Sequence, residues 1–355
     1  MSHSTPLISW TDSGLHCSAG GFHIDPHRPV KLALVTHAHS DHARRGSEKY
    51  ITPASGVGLL RVRLGKSIRV QGVNYGEKFR LGDVWVSFHP AGHILGSSQI
   101  RVEHDGDIWV ATGDYKRDPD PSCEPFESVQ CDTLITEATF GTPKYCWDKR
   151  VDHGQQMAEW WYANAQTGLN SIIYGYSLGK TQRILTLLRG YAKKPILIHK
   201  SMLELTECYR DHGISMADYR LLPDLTQAPG LFQDPPLEGE LILAPPSWLR
   251  DNPQVVERLG QYRTAFASGW MMGQSAGRHG TDHGFLLSDH ADWNDLNRTI
   301  QESGASRVFV QHRSNGALVR HLRRLGLEAH SSEELTLDRF SRLPTRNLEL
   351  FPRSP

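Results

Sequence analysis

Cysteine is scarce in this chain of 355 residues. There are five, Cys17, Cys123, Cys131, Cys146 and Cys208, and no Cys-x-x-Cys pair. An odd count without close spacing argues against a disulfide framework and fits a reducing cytoplasm. A charge excess is also missing, since Lys plus Arg and Asp plus Glu both total 39. No global positive field announces nucleic acid, although a balanced total can hide a local basic groove. Long apolar runs are absent too. None approaches membrane-spanning length, and Met1 to Trp10 has no basic region followed by an apolar core, so the expectation is a soluble cytoplasmic protein with no membrane partner. What is left is a globular chain long enough for two ordinary domains.

One stretch stands out, Thr36-His37-Ala38-His39-Ser40-Asp41-His42. It follows the apolar, partly β-branched run Leu32-Ala33-Leu34-Val35, which reads as a buried strand delivering a loop. Residues two apart at a strand end share a face, so His37 and His39 can bind one ion together. Asp41 and His42 point elsewhere and can serve a second ion close by. A lone histidine is more often a hydrogen-bonded surface residue, but three imidazoles and a carboxylate packed this closely make an odd solvated loop.

The pattern His-x-His-x-Asp-His at His37, His39, Asp41 and His42 resembles the signature of the metallo-β-lactamase superfamily. The resemblance implies an α/β chain folded as an αββα sandwich, with further ligands from later loops. Several later segments are similar to that scheme. Asp25, at the end of Phe22-His23-Ile24, matches a carboxylate that orients a ligand histidine; on local sequence alone it reads as a turn residue. His93, in Ala91-Gly92-His93-Ile94-Leu95-Gly96, matches the third imidazole of the first ion, and its flanking glycines would let the backbone approach closely. Asp114 closes the strand Ile108-Trp109-Val110-Ala111-Thr112-Gly113-Asp114 and matches the carboxylate shared by two ions.

Glu137, in the strand exit Glu137-Ala138-Thr139-Phe140-Gly141, narrows the likeness to the β-CASP nucleases, which insert a second α/β domain after this point. Ser288-Asp289-His290-Ala291-Asp292 resembles the β-CASP Ser-x-His-x-Asp pattern. It implies that His290 is a general acid oriented by Glu137, with Asp292 supporting the site. His312, at the end of Val308-Phe309-Val310-Gln311, is the implied last ligand of the second ion, although His312-Arg313-Ser314 departs from the usual His-Gly. The expected division is residues 1–148 and 276–345 for a discontinuous metallo-β-lactamase domain, 149–275 for the insertion and 346–355 for a tail.

Within the expected insertion, Tyr174-Gly175-Tyr176-Ser177-Leu178-Gly179-Lys180-Thr181 invites a phosphate-loop reading. Gly-x-x-x-x-Gly-Lys-Thr would need glycine where Tyr174 stands, so ATP hydrolysis is not the expectation. Ser177, Lys180 and Arg183 could still hold a nucleic-acid phosphate. Residues 54–66 read as an amphipathic helix whose Arg61, Arg63 and Lys66 mark either a solvated face or a phosphate contact. The basic helix at 317–325 carries the same two readings.

The phrases His-Pro-Ala-Gly-His-Ile-Leu-Gly-Ser, Tyr-Ser-Leu-Gly-Lys-x-Gln-Arg and Leu-Ser-Asp-His-Ala-Asp-Trp look like the bacterial DNA-ligase-associated exonucleases. That resemblance implies a DNA exonuclease in repair and end processing, leaning to 5′ to 3′ polarity. It also implies two divalent ions, zinc foremost with manganese admissible at the second position, and an ATP-dependent DNA ligase and a helicase as partners. The alternatives are an RNA-processing β-CASP nuclease and a catalytically silent scaffold. The intact ligand set argues against the scaffold, and a small-molecule hydrolase has no use for Glu137, His290 or the insertion.

Overall fold

The structure is a computed structural model that describes residues 6–225, 237–273, 280–311 and 315–336. The chain divides into two units, the first running to Cys146 and resuming at His290, the second spanning Trp147–Asp289.

The first unit holds two sheets. One contains, in spatial and chain order, β1 (Ser9–Thr11), β2 (Gly14–Cys17), β3 (Phe22–Ile24), β4 (Leu32–Leu34), β5 (Lys49–Pro53) and β6 (Val70–Val73). The other contains β7 (Phe79–Leu81), β8 (Val84–Pro90), β9 (Ser98–His104), β10 (Asp107–Ala111) and β11 (Thr133–Thr136), then β18 (Arg307–Val310) and β19 (Glu328–Ser331) from beyond the second unit. Alternation along these strands makes the layers. Inward residues of both sheets, among them Phe22, Leu34, Ile51, Val86, Val102, Trp109, Ile135 and Phe309, form one buried core between them. The opposite side of the second sheet, with Val110, Leu134, Val308 and Val310, packs on Leu296 and Ile300 of α7 (Trp293–Ser303) and Leu318 and Leu322 of α8 (Asn315–Arg324). With α1 (Val57–Leu64) against β6 of the first sheet, the layers are the αββα of the sequence expectation.

The helix read over 54–66 begins as a single turn, Ala54–Gly56, and continues as α1. Its Leu59, Leu60 and Leu64 are buried. Arg61 is exposed, but Arg63 is half-buried and its Nε donates to the Ala38 carbonyl at 2.9 Å, inside the histidine loop. Arg63 therefore braces that loop and is not part of a solvated face.

The second unit is built on a six-stranded, wholly parallel sheet in the order β14 (Tyr219–Leu221), β13 (Ile196–Ile198), β15 (Leu241–Ala244), β12 (Asn170–Tyr174), β16 (Tyr262–Ala267) and β17 (His283–Phe285). Helices cover both faces, as a parallel sheet requires. Ile173, Leu243 and Ala265 pack with Met157 and Trp161 of α2 (His153–Ala165), Ile184 and Leu185 of α3 (Lys180–Leu187) and Met202 of α4 (Lys200–Asp211). Ile172, Leu197 and Ile242 face the other way, onto Trp248 of α5 (Trp248–Asp251) and Leu259 of α6 (Val256–Leu259). The return to the first unit, expected at 276, falls at His290. The reason is β17, which pairs in parallel with β16 through Ala265↔His283 and so extends the inserted sheet. The expected tail at 346–355 lies outside the described residues.

Candidate active site

The histidine loop leaves β4 and turns at once. Asp25, at the end of the neighbouring β3, holds φ at +44°, a left-handed conformation that aspartate tolerates better than most residues. From there its carboxylate reaches across, Oδ1 accepting from the Thr36 amide at 2.8 Å and Oδ2 from the Thr36 hydroxyl at 2.5 Å and from His42 Nδ1 at 2.7 Å. With its proton donated to Asp25, the Thr36 hydroxyl is left to accept from His37 Nδ1 at 3.1 Å. Both imidazoles are thereby held with Nδ1 protonated and Nε2 turned to the site.

Three imidazoles and one carboxylate converge. His39 Nδ1 stands 3.1 Å from His37 Nε2 and 3.1 Å from His93 Nε2. Asp114 Oδ2 lies 3.6 Å from His37 Nε2 and 3.9 Å from His93 Nε2. For metal–ligand lengths of about 2.0–2.1 Å, the corners of a tetrahedron stand roughly 3.3–3.4 Å apart, so this set fits a divalent cation. Burial, then the neighbouring His42, His39 and His93, hold the His37 imidazole well below its ordinary range despite Asp114, in the neutral form a ligand needs.

The same Oδ2 of Asp114 is 3.3 Å from His42 Nε2, and Asp41 Oδ2 is 3.8 Å from that nitrogen. His42 differs from His37 in its neighbours. Burial would lower its pKa, but the carboxylates of Asp114 and Asp25 outweigh burial and raise it well above the ordinary value. The Asp41 side chain is two-thirds exposed, at 67%. The expected last member of this second group, His312, lies outside the described residues.

Close backbone approaches set these loops. Gly113 (φ +56°) precedes Asp114, and a Cβ there would come within 2.7 Å of the Thr36 side chain. Gly92 (φ +69°) precedes His93, and a Cβ would meet the Lys116 carbonyl at 2.3 Å. Both positions demand glycine.

Glu137, directly after β11, is buried, and its Oε1 accepts from the Tyr115 amide at 2.6 Å. His290 Nδ1 lies 3.0 and 3.2 Å from its two carboxylate oxygens, and the His290 ring sits 4.7 Å from that of His93. Ligand atoms of Asp114, Glu137 and His290 also fall within 4.8 Å of one another, a second group able to hold a cation. Asp292 follows His290 by two residues and has a structural part of its own. It is the N-cap of α7, its Oδ1 accepting from the Asp295 amide at 2.8 Å, and so fixes the helix start that follows His290.

The phosphate assignment for Lys180 and Arg183 is corrected. Lys180 is 2% and Arg183 7% exposed. Lys180 Nζ donates to the Leu287 carbonyl and lies 2.8 Å from Asp289 Oδ2. Arg183 Nη1 donates to the Ser288 carbonyl and pairs with Asp289 Oδ1 at 2.9 Å. These are interior cations matched to a carboxylate more than a hundred residues away in the chain, a pairing no local motif announces. Ser177, half-buried, meets the Ser201 hydroxyl at 3.0 Å. Asp289→Asn should destabilise the second unit by about 3–5 kcal/mol, because two buried cations lose their counter-charge. Urea unfolding measures this, and an unchanged midpoint would show that the pair carries no such weight.

No protein-family profile matches the chain. It is 32% identical over 319 residues to an Opitutus terrae protein named "Probable DNA ligase", an alignment spanning 89% of this chain and 30% of that one. It is 24% identical over 230 residues to an "RNase J-like protein" of Methanocaldococcus jannaschii, spanning 57% of this chain and 55% of the other. A 126-residue stretch, 35% of the chain, is 26% identical to the "Endoribonuclease YSH1" of Saccharomyces cerevisiae and covers 16% of it. The chain thus spans about half or less of the length of these relatives. A crystal structure of a protein of unknown function from Enterococcus faecalis shares the fold, with a TM-score of 0.53 and 13% identity over 84% of this chain and 78% of that one. Among the described residues, no helix is long and apolar enough to cross a membrane.

Proposed function

We propose, from the premise that this chain is a relative of the β-CASP nucleases of the metallo-β-lactamase superfamily, that it is a metal-dependent phosphodiesterase acting as a DNA exonuclease in end processing. The observation that carries the reading is the convergence of His37, His39, His93 and Asp114 beside the Glu137–His290 pair. A thioester or lactam hydrolase needs the first set and has no use for the second.

His37, His39, His93 and Asp114 would hold one divalent ion, and Asp41, His42 and the shared Asp114 the other, with His312 as the expected further ligand. Such ions supply a water of lowered pKa and neutralise charge on the phosphate. The imidazole-rich position suits zinc and the oxygen-richer one admits manganese. The protein's own part in bond breaking falls to His290. Glu137 accepts a hydrogen bond from its Nδ1, which leaves Nε2 to protonate the departing oxygen.

Support for DNA over RNA comes from the Opitutus relative, whose name is that of a ligase and which matches 89% of this chain. The same match supports a DNA ligase as partner, with a helicase as its expected companion. An RNA-processing enzyme is the second reading, and the names of the Methanocaldococcus and yeast relatives favour it. Digestion of DNA and RNA oligonucleotides, labelled at either end, with zinc or manganese, tests both readings. The expected result is stepwise release of mononucleotides from the 5′ end of DNA. Cleavage confined to RNA would replace the first reading with the second, and no hydrolysis with either metal would overturn both.

A further inference from the structure

A cavity of about 240 Å³ opens in the first unit on the Asp41–His42 side of the centre. Its walls include Trp10, His27, Asp41, His42, Gln311 and Glu333. We propose that this cavity receives the nucleobase of one nucleotide flanking the scissile phosphate, with Trp10 as its stacking surface. The inference deepens the nuclease reading and rests on it.

Four observations bear on the ligand. The volume is below the roughly 300 Å³ at which pockets for drug-sized molecules begin, so the cavity suits a single heterocycle and not a duplex end. Two of its walls are flat rings. The Trp10 and His27 centroids are 6.5 Å apart with planes tilted by 31°. A planar base can lie against either ring. Trp10 is firmly placed, its amide donating to the Leu335 carbonyl at 2.7 Å and its strand paired with β2 through Trp10↔Leu15.

Charge decides which end of a nucleotide enters. Of the three carboxylates lining the cavity, Asp25 is taken by Thr36 and His42 and Asp41 by the proposed second cation, which leaves that of Glu333 to disfavour a phosphate there. Base edges carry amino and imino donors that such an acceptor, and the Gln311 carbonyl, can receive. Asp41 and His42 also belong to the proposed second cation position. A base in the cavity is thereby next to a phosphate at the cations, and the wall that repels the phosphate turns it toward them.

Stacking on an aromatic side chain is worth about fivefold to a hundredfold in affinity per base. The experiment compares kcat/KM for oligonucleotides that carry an abasic nucleotide on either side of the scissile phosphate, using the wild type, Trp10→Phe and Trp10→Ala. In the wild type, the abasic residue on one side should lower kcat/KM about tenfold. Trp10→Ala should lose about as much on the intact substrate and nothing further on the abasic one, with metal content unchanged. Trp10→Phe should stay near the wild type. Equal cleavage of intact and abasic substrates by the wild type, or full kcat/KM in Trp10→Ala, would overturn the proposal. Adenosine titration, followed through the indole resonance of Trp10, separates this idea from the nuclease reading. If no oligonucleotide is cut, the nuclease reading fails by itself, and the cavity is judged by whether that resonance shifts saturably in the wild type or stays still.

Discussion

Asp114→Ala is expected to abolish hydrolysis, by about 10³-fold or more in kcat/KM, and to lower the metal content together with it. A single oxygen, Oδ2, stands within 3.3–3.9 Å of the Nε2 atoms of His42, His37 and His93. Losing it removes a donor from both groups at once. Elemental analysis of the purified variant beside its rate is the check. Full activity, or loss of activity with both ions still bound, would contradict a carboxylate shared by the two positions.

His290→Ala should act differently. A general acid contributes about 10²- to 10⁴-fold, so kcat should fall by that amount while metal content stays at the wild-type level. Glu137→Gln should show a smaller fall in kcat, because the imidazolium loses its carboxylate while the ring keeps a partner. Proximity of Asp114, Glu137 and His290 makes the contrast informative. Release of an ion from His290→Ala would identify His290 as a ligand and remove it from the acid's role.

The parts of this site visible in the chain are those where one strand exit carries its own chemistry. Thr36 to His42 packs its donors within seven residues, and Asp114 and Glu137 each follow an apolar strand, so period and polarity mark the positions while the family resemblance supplies their roles. Pairings across the fold are invisible to that reading. Arg63 looks like one more helix charge until its Nε is found on the Ala38 carbonyl. Lys180 follows a glycine loop and invites a phosphate, yet the structure gives it Asp289, because burial of a cation is decided by what the distant chain brings to it. Asp292 sits in a motif and caps a helix. The return from the insertion is hidden for a similar reason. β17 is three residues long and takes its identity from pairing with β16, not from its own alternation.

In the second sheet, β11 lies directly beside β18, with Thr133 opposite Arg307 and Thr136 opposite Val310, although the whole second unit is made between them. That pairing is among the most non-local in the molecule and must wait for loop closure over the full insertion. During synthesis, every member of the first cation group exists before the insertion begins, whereas the partner of Glu137 arrives only after it ends. The order of the chain thus completes the set His37, His39, His93 and Asp114 well before the Glu137–His290 pair can form.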